Sequence, residues 1–137
     1  MGRPKSVFST GVIEKGGAIN HVVTQYQFPG GPAVSAEGSW LLASGFQMSF
    51  TVICERATLD FDLARGAAAL RVDEAGKKTR IIKLERGDGY DAEIRHFVDC
   101  VLRGKRPEVV TARDAVTALE ICEAEEKSVR TGRLVKI

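Results

Sequence analysis

Two helical segments in the last third of the chain constrain the fold more than any other feature. Between Ile94 and Leu102, apolar residues recur at intervals of three and four, the spacing that places side chains along one stripe of an α-helix. The stripe consists of Ile94, Phe97, Val98, Val101 and Leu102. Gly104 and Pro107 follow at once, and both residue types end helices. The pattern therefore predicts an amphipathic helix that ends at Gly104.

A second helix is predicted after Pro107, with clear signals at both of its ends. Thr111 is followed three positions later by Asp114, which resembles the spacing of an N-terminal capping box. Gly132 has the residue type that most often ends a helix in the left-handed conformation. The apolar stripe of this helix is narrow and uses mainly small residues, namely Ala115, Ala118, Leu119, Cys122 and Val129. This stripe is predicted to pack closely against a sheet or another helix.

The chain before these helices has the pattern of β-strands separated by short turns. The strand-like segments are residues 19–28, 33–42, 46–54, 59–63, 67–73 and 79–84. Short turns such as residues 29–32 and 74–78 make neighbouring strands antiparallel. Residues 1–18 are interpreted as an irregular lead-in with at most one short strand, and residues 133–137 as a short edge strand.

Together these segments predict an α+β fold. We expect an open, mostly antiparallel β-sheet of about six strands with two C-terminal helices packed on one face. Residues 1–137 are expected to form a single domain, because this is an ordinary domain length and no linker or repeat interrupts the chain. The helices cover one face of the sheet, so the other face is left open.

Composition argues against several classes of partner and location. The formal net charge of +2 is too small to indicate nucleic acid or an anionic membrane, and no apolar run approaches the roughly 20 residues of a membrane span. The first residues lack the apolar stretch of a secretory signal. Cys54, Cys100 and Cys122 form no CxxC pair, and we expect three reduced, buried thiols in a cytoplasmic protein.

No motif in the sequence indicates a catalytic, cofactor-binding or metal-binding site. The glycine pairs at residues 16–17 and 30–31 match no phosphate-binding motif, and they do not lie between a strand and a helix. The two histidines lack local metal-ligand spacing. Four carboxylates would hold a hard cation only if the fold gathered them, and they are Asp60, Asp62, Asp73 and Glu74. The solvated outer face of a strand explains Asp60 and Asp62 without a cation.

Three side chains in the first predicted hairpin are the candidates for contact with a substrate or a partner chain. His21 faces the same side of its strand as Val23, so it is available to whatever that side binds. Tyr26 and Trp40 are aromatic residues that serve either ligand stacking or packing in a core or interface. The other histidine, His96, lies at the edge of the first helical stripe, where helix packing or solvent exposure explains it.

A family resemblance is carried mainly by the helical segment. Phe97, Gly104 and Pro107 form an F-x6-G-x2-P frame. The other matching positions are Thr111, Asp114, Ala115, Ala124, Ser128 and Gly132, with the Ser39-Trp40 pair and the E-x-A-T-L turn at residues 55–59 upstream. In this order and spacing, residues 19–137 resemble the C-terminal part of the Gfo/Idh/MocA family, the relatives of glucose–fructose oxidoreductase and inositol dehydrogenase.

The resemblance implies a two-domain, NAD(P)-dependent oxidoreductase in full-length relatives. There, an N-terminal Rossmann domain binds the cofactor, while a C-terminal α+β domain shapes the substrate pocket and commonly mediates oligomerisation through its open sheet. The present sequence contains neither the Rossmann fingerprint nor the family's Glu-Lys-Pro motif with its catalytic lysine, and its Asp/His catalytic segment cannot be placed. No catalytic residue is therefore carried over, and we expect no cofactor for this chain alone, with NAD(P) implied for a full-length relative.

Three functional hypotheses follow from the sequence. In the favoured one, the chain is a substrate-side and oligomerisation domain, inactive alone, that forms a dimer through its open sheet face. In the second, it is a small-molecule binding or interaction module with a pocket around His21, Tyr26 and Trp40. In the third, it is a subunit completed in trans by a separate Rossmann chain.

Overall fold

The computed structural model describes residues 2–84 and 89–137 of the chain. Within these ranges the elements are β1 (Ser6–Ile13), β2 (Ile19–Gln27), β3 (Val34–Ser39), β4 (Ser49–Ile53), β5 (Ala57–Asp62), a 3-10 helix (Leu63–Ala68), β6 (Leu70–Glu74), β7 (Arg80–Ile82), α1 (Gly89–Leu102), α2 (Ala112–Thr131) and β8 (Val135–Lys136). The turn expected at residues 85–89 falls mostly outside the described residues.

The α+β class and the antiparallel strands are confirmed, but the strand count is corrected. The described residues contain eight strands, where about six were expected, and they form two four-stranded sheets, where one was expected. The additional strands are β1 and β8, at positions interpreted from sequence as a lead-in and a short edge strand. Strand order is β3-β2-β1-β8 in the first sheet and β4-β5-β6-β7 in the second.

The chain divides into two compact units that follow the two sheets. The first unit comprises residues up to Leu41 and from Cys100 onward, so it contains the first sheet and α2. The second comprises Leu42–Asp99, with the second sheet and most of α1. In the second sheet, Phe50 and Phe61 lie opposite each other, and their rings stack with centroids 5.1 Å apart.

The first unit has its core between β1 and α2. Val7 and Ser9 of β1 are 0% and 1% exposed, and Ser9 N–H donates to the hydroxyl of Ser128 on α2 at 2.8 Å. Gly11 continues the same side of the strand, where a Cβ atom would lie 3.4 Å from Val129 Cγ1 and only 2.4 Å from the carbonyl oxygen of His21. Small residues on this side let the helix approach the sheet closely. Because serine and glycine are not typical strand residues, they also weaken the strand pattern in the sequence.

The ends of α2 are those predicted, whereas its predicted packing stripe is correct only in part: Val129 lies against Gly11 of β1. Thr111 and Asp114 form a complete capping box, and Gly132 ends the helix with φ +64°. The residues that α2 buries are Ala124 and Ser128, which lie on the side facing β1. Four members of the predicted stripe are exposed, namely Ala115, Ala118, Leu119 and Cys122. Periodicity identified an apolar side of α2, but the side that packs on the sheet carries Ala124 and Ser128 and overlaps the predicted stripe at Val129.

The stripe predicted for α1 is likewise exposed. All five of its members, Ile94, Phe97, Val98, Val101 and Leu102, have exposed side chains. Cys100 is the buried residue of this helix within the described chain. The expectation of three buried thiols is corrected as well, because Cys54 and Cys122 are exposed and only Cys100 is buried. Amphipathicity indicates which side of a helix avoids water, but it does not require the covering surface to belong to the same chain.

Candidate functional site

The face of the first sheet opposite α2 is the candidate functional site, and we call it the open face. Because side chains alternate along a strand, residues next to those that contact α2 point the other way. Directly opposed residues of neighbouring strands share a face. The register therefore places on the open face Phe8, Thr10 and Val12 of β1, His21, Val23 and Gln25 of β2, and Ser35, Glu37 and Ser39 of β3.

The open face combines an apolar centre with a polar margin. Phe8, Val12 and Val23 are between 40% and 48% exposed, although each is a large apolar residue in a paired strand. Around them lie hydroxyl, amide and charged side chains contributed mainly by β3. Partly exposed apolar side chains on a regular sheet face are typical of a surface that another protein layer covers.

His21 lies on this face, as the alternation predicted. Its Nδ1 atom is 3.9 Å from Oε1 of Glu37, and its side chain is about a quarter exposed. At that distance the two groups attract each other when the imidazole is protonated, but they do not share a hydrogen bond. In the sheet register His21 is opposed by Val12 on one side and by Ser39 on the other. His21 thus forms part of the polar margin of the open face.

Tyr26 lies on the other side of the sheet, beneath α2. In the register it opposes Val7, which is fully buried, and its hydroxyl donates to the carboxylate of Glu125 on α2. Burial raises the pKa of Tyr26 well above its ordinary value, and the hydrogen bond to Glu125 raises it further. The phenol therefore stays protonated and holds α2 to β2, so the observed contact of Tyr26 lies within the fold.

Trp40 follows β3 directly and is 88% exposed. Its backbone N–H donates to the carbonyl oxygen of Asn20 at 2.8 Å, which extends the pairing of β2 and β3 by one residue. The structure therefore places Trp40 one position from the strand pair that carries His21. It does not gather all three candidates, because His21 and Tyr26 lie on opposite faces of the same sheet.

The acidic residues of β5 are bound by an arginine. Arg65 Nη2 lies 2.6 Å from Asp60 Oδ2, and Arg65 Nε lies 3.2 Å from Asp62 Oδ2. The hydrogen bond from Arg65 holds the pKa of Asp60 below its usual value. Across residues 2–84 and 89–137, no group of three His, Cys, Asp or Glu side chains has an arrangement that would hold a metal ion.

Sequence reasoning missed the β1 contribution to the open face. Phe8 and Val12 fall in residues 1–18, which were interpreted as an irregular lead-in. The available signal was the alternation of Phe8, Thr10 and Val12 with Ser9 and Gly11, in which large or β-branched residues take one side and small residues the other. In the described part of the chain, no helix is both long and apolar enough to span a membrane.

Comparison with known proteins identifies the family. A sequence model described as "Oxidoreductase family, C-terminal alpha/beta domain" (Gfo/Idh/MocA) matches residues 14–137. The chain is 27% identical over 128 residues to a scyllo-inositol 2-dehydrogenase (NAD(+)) of Bacillus subtilis, and the match covers 91% of this chain but 37% of that protein.

Solved structures share the fold over nearly the whole chain. An aldose-aldose oxidoreductase of Caulobacter crescentus, complexed with glycerol, superposes with a TM-score of 0.79 at 20% identity, covering 98% of this chain and 42% of that one. A levoglucosan dehydrogenase in complex with NADH and levoglucosan gives 0.80 at 18% identity, covering 100% and 45%. The chain thus spans less than half the length of these proteins. It belongs to the Gfo/Idh/MocA oxidoreductase family and corresponds to the C-terminal alpha/beta domain of that family.

Proposed function

We propose that the chain is the substrate-side and oligomerisation domain of an NAD(P)-dependent oxidoreductase and has no dehydrogenase activity without a dinucleotide-binding domain. The observation that carries this proposal is the coverage: the family match spans residues 14–137, yet the chain accounts for 37% of the NAD(+)-dependent relative. The missing partner domain belongs either to the same polypeptide or to a separate Rossmann chain. Free thiols at Cys54 and Cys122 that are exposed to solvent fit a reducing cytoplasm.

We further propose that the open face joins two copies of the chain. An antiparallel sheet face with an apolar centre can pack on a second copy of itself, related by a two-fold axis. Phe8, Val12 and Val23 supply the apolar centre, and burying them would remove from water the least favourably solvated part of the face. The polar margin, which includes His21 and Glu37, would lie at the rim of such an interface.

Sedimentation equilibrium tests the dimer. In Val23→Lys the new side chain lies opposite Glu37, so the monomer tolerates the new charge within its sheet. In the dimer, the same lysine would be buried between two sheets, which is strongly unfavourable. We expect the dimer dissociation constant to rise by more than about tenfold. The matched control is Ile53→Lys, a substitution at an 82% exposed position of β4 in the other sheet, which should leave association unchanged. A strictly monomeric wild-type chain, or a Val23→Lys dimer of wild-type affinity, would contradict the proposal.

Cofactor titration tests the proposed lack of independent activity. The chain should neither quench NADH fluorescence nor reduce NAD(P)+ in the presence of polyols, since its sequence contains no phosphate-binding turn. Co-expression with, or fusion to, a dinucleotide-binding domain of the family should restore cofactor binding. Micromolar affinity of the chain alone for NAD(H) would overturn this account. A binding module built around His21, Tyr26 and Trp40 has less support, because Tyr26 is beneath α2 and away from the open face.

A further inference from the structure

His21 and Glu37 form a titratable pair on the open face. Nδ1 of His21 lies 3.9 Å from Oε1 of Glu37, and the two side chains are 28% and 66% exposed. In the register Glu37 lies directly opposite Val23, so its carboxylate borders the apolar centre of the face. His21 lies two positions before Val23 on the same strand and borders the same centre. A protein layer that covers the apolar centre therefore also removes water from this pair.

Glu37 is the charged group that the neighbouring strands place beside His21 in the described part of the chain. On the β1 side, His21 is opposed by the uncharged Val12. The turn from β1 to β2 adds Glu14 and Lys15, which are exposed and opposite in sign, so their combined field at His21 is small. Helix α2 packs on the other face of the sheet. The charge of the imidazole is therefore coupled mainly to that of Glu37.

Lys136, a further cation of the open face, lies too far from Glu37 within one chain to take the place of His21. Lys136 opposes Ser6, which alternates with the buried Val7, so the lysine belongs to this face. It lies on β8 and Glu37 on β3, the two outer strands of the first sheet. Three strand spacings, about 14 Å, separate them, whereas an ion pair needs a distance of about 4 Å or less.

We propose that association through the open face is proton-sensitive, because protonation of His21 balances the charge of Glu37 in the dimer. This inference rests on the proposed dimer. When a second copy covers the face, the carboxylate of Glu37 loses water, and a neutral imidazole leaves its charge unbalanced. A protonated imidazole balances it, so His21 takes up a proton as the dimer forms.

The direction of the pH dependence follows from this proton uptake. The dimer holds the proton of His21 more tightly than the single chain does, so its stabilisation is complete at low pH and is lost as pH rises. An imidazole ordinarily gains its proton near pH 6.5. Association should therefore strengthen as pH falls from about 8 to about 6.

Sedimentation equilibrium at a series of pH values tests this switch. We expect the dimer dissociation constant of the wild-type chain to rise about tenfold between about pH 6 and about pH 8. In His21→Gln the dissociation constant should be nearly constant over this range, because glutamine does not titrate. His96→Gln is the matched control, since the sequence contains two histidines and this substitution removes the other one, which lies in α1. The control should keep the pH dependence of the wild type.

Glu37→Gln supplies a second arm, in which the expected pH dependence has the opposite sign. Without the carboxylate, a protonated His21 would be an unbalanced charge in the interface, so association should weaken as pH falls. A wild-type dimer whose dissociation constant does not change with pH, or a Glu37→Gln dimer that still strengthens towards low pH, would overturn the inference and leave the proposed dimer intact. A wild-type chain that is monomeric throughout this pH range would contradict the proposed dimer and the inference together.

Discussion

Ser128 is the polar residue on which the packing of α2 depends most. Its side chain is fully buried, with 0% exposure. Its hydroxyl accepts the backbone N–H of Ser9 at 2.8 Å and donates to the carbonyl oxygen of Arg133 at 2.6 Å, so one atom ties β1, α2 and the turn after α2 together. The substitution Ser128→Ala removes both hydrogen bonds and leaves the buried N–H of Ser9 without this acceptor.

The cost of this substitution is estimated from the groups that remain. A buried amide that loses its partner costs about 1–3 kcal/mol, while the carbonyl of Arg133, an exposed residue, can bind water instead. The higher helix propensity of alanine returns only about 0.5 kcal/mol. We therefore expect the free energy of unfolding to fall by about 2 kcal/mol. With a urea m-value of about 2 kcal/mol/M, the midpoint of unfolding falls by about 1 M.

Urea titrations followed by helical circular dichroism measure this change. The matched control is Thr131→Ala, which removes another hydroxyl of α2; its hydrogen bond to the carbonyl oxygen of Lys127, at 2.7 Å, is exposed to solvent. The control should change the free energy of unfolding by no more than about 0.5 kcal/mol. An unchanged midpoint for Ser128→Ala, or an equal fall for Thr131→Ala, would refute the reasoning.

Three further substitutions test other contacts of the first unit. Gly11→Ala should lower the free energy of unfolding by about 2 kcal/mol, because the new Cβ would lie 2.4 Å from the carbonyl oxygen of His21. Gly38→Ala is the control: the nearest neighbour of its Cβ would lie at 3.7 Å, so the same titration should show almost no change. Because the pKa of Tyr26 is raised in the folded chain, Tyr26 ionises first in the unfolded chain as pH rises past about 10, and the free energy of unfolding falls above that pH. In Tyr26→Phe this fall should be smaller. An equal slope of the free energy of unfolding against pH in both proteins would refute the assignment. Thr111→Ala should lower the free energy of unfolding by about 1 kcal/mol, because it removes the capping box of α2. A urea midpoint equal to that of the wild type would show that the cap contributes nothing to stability.

Local signals predicted the helix ends correctly because the interactions that set them are local. The capping box of Thr111 and Asp114 joins residues three positions apart, and Gly132 adopts the left-handed conformation that its residue type favours. The opposite orientations of His21 and Tyr26 also follow from their odd and even positions in one strand. These features needed no knowledge of the rest of the fold.

Features set by long-range contacts were not predictable in the same way. In the first sheet β1 pairs with both β2 and β8, and the partner from the far end of the chain cannot be read from a short segment. Strand β1 was missed because its side facing α2 requires serine and glycine, which weaken the usual strand pattern. The side of α2 that packs on the sheet was predicted only in part, because four of the five members of the predicted apolar stripe are exposed and only Val129 lies against β1. In each case the correct assignment depends on which surface is covered by an element distant in the sequence.

The pairing of β1 with β8 also has a consequence for how the protein is made. Val7 lies opposite Val135, and the backbone N–H of Ile137 donates to the carbonyl oxygen of Lys5. While the ribosome synthesises the intervening residues, this edge of β1 has no strand to pair with, and an unpaired edge readily joins another chain. The first sheet is therefore complete only after β8 has left the ribosome.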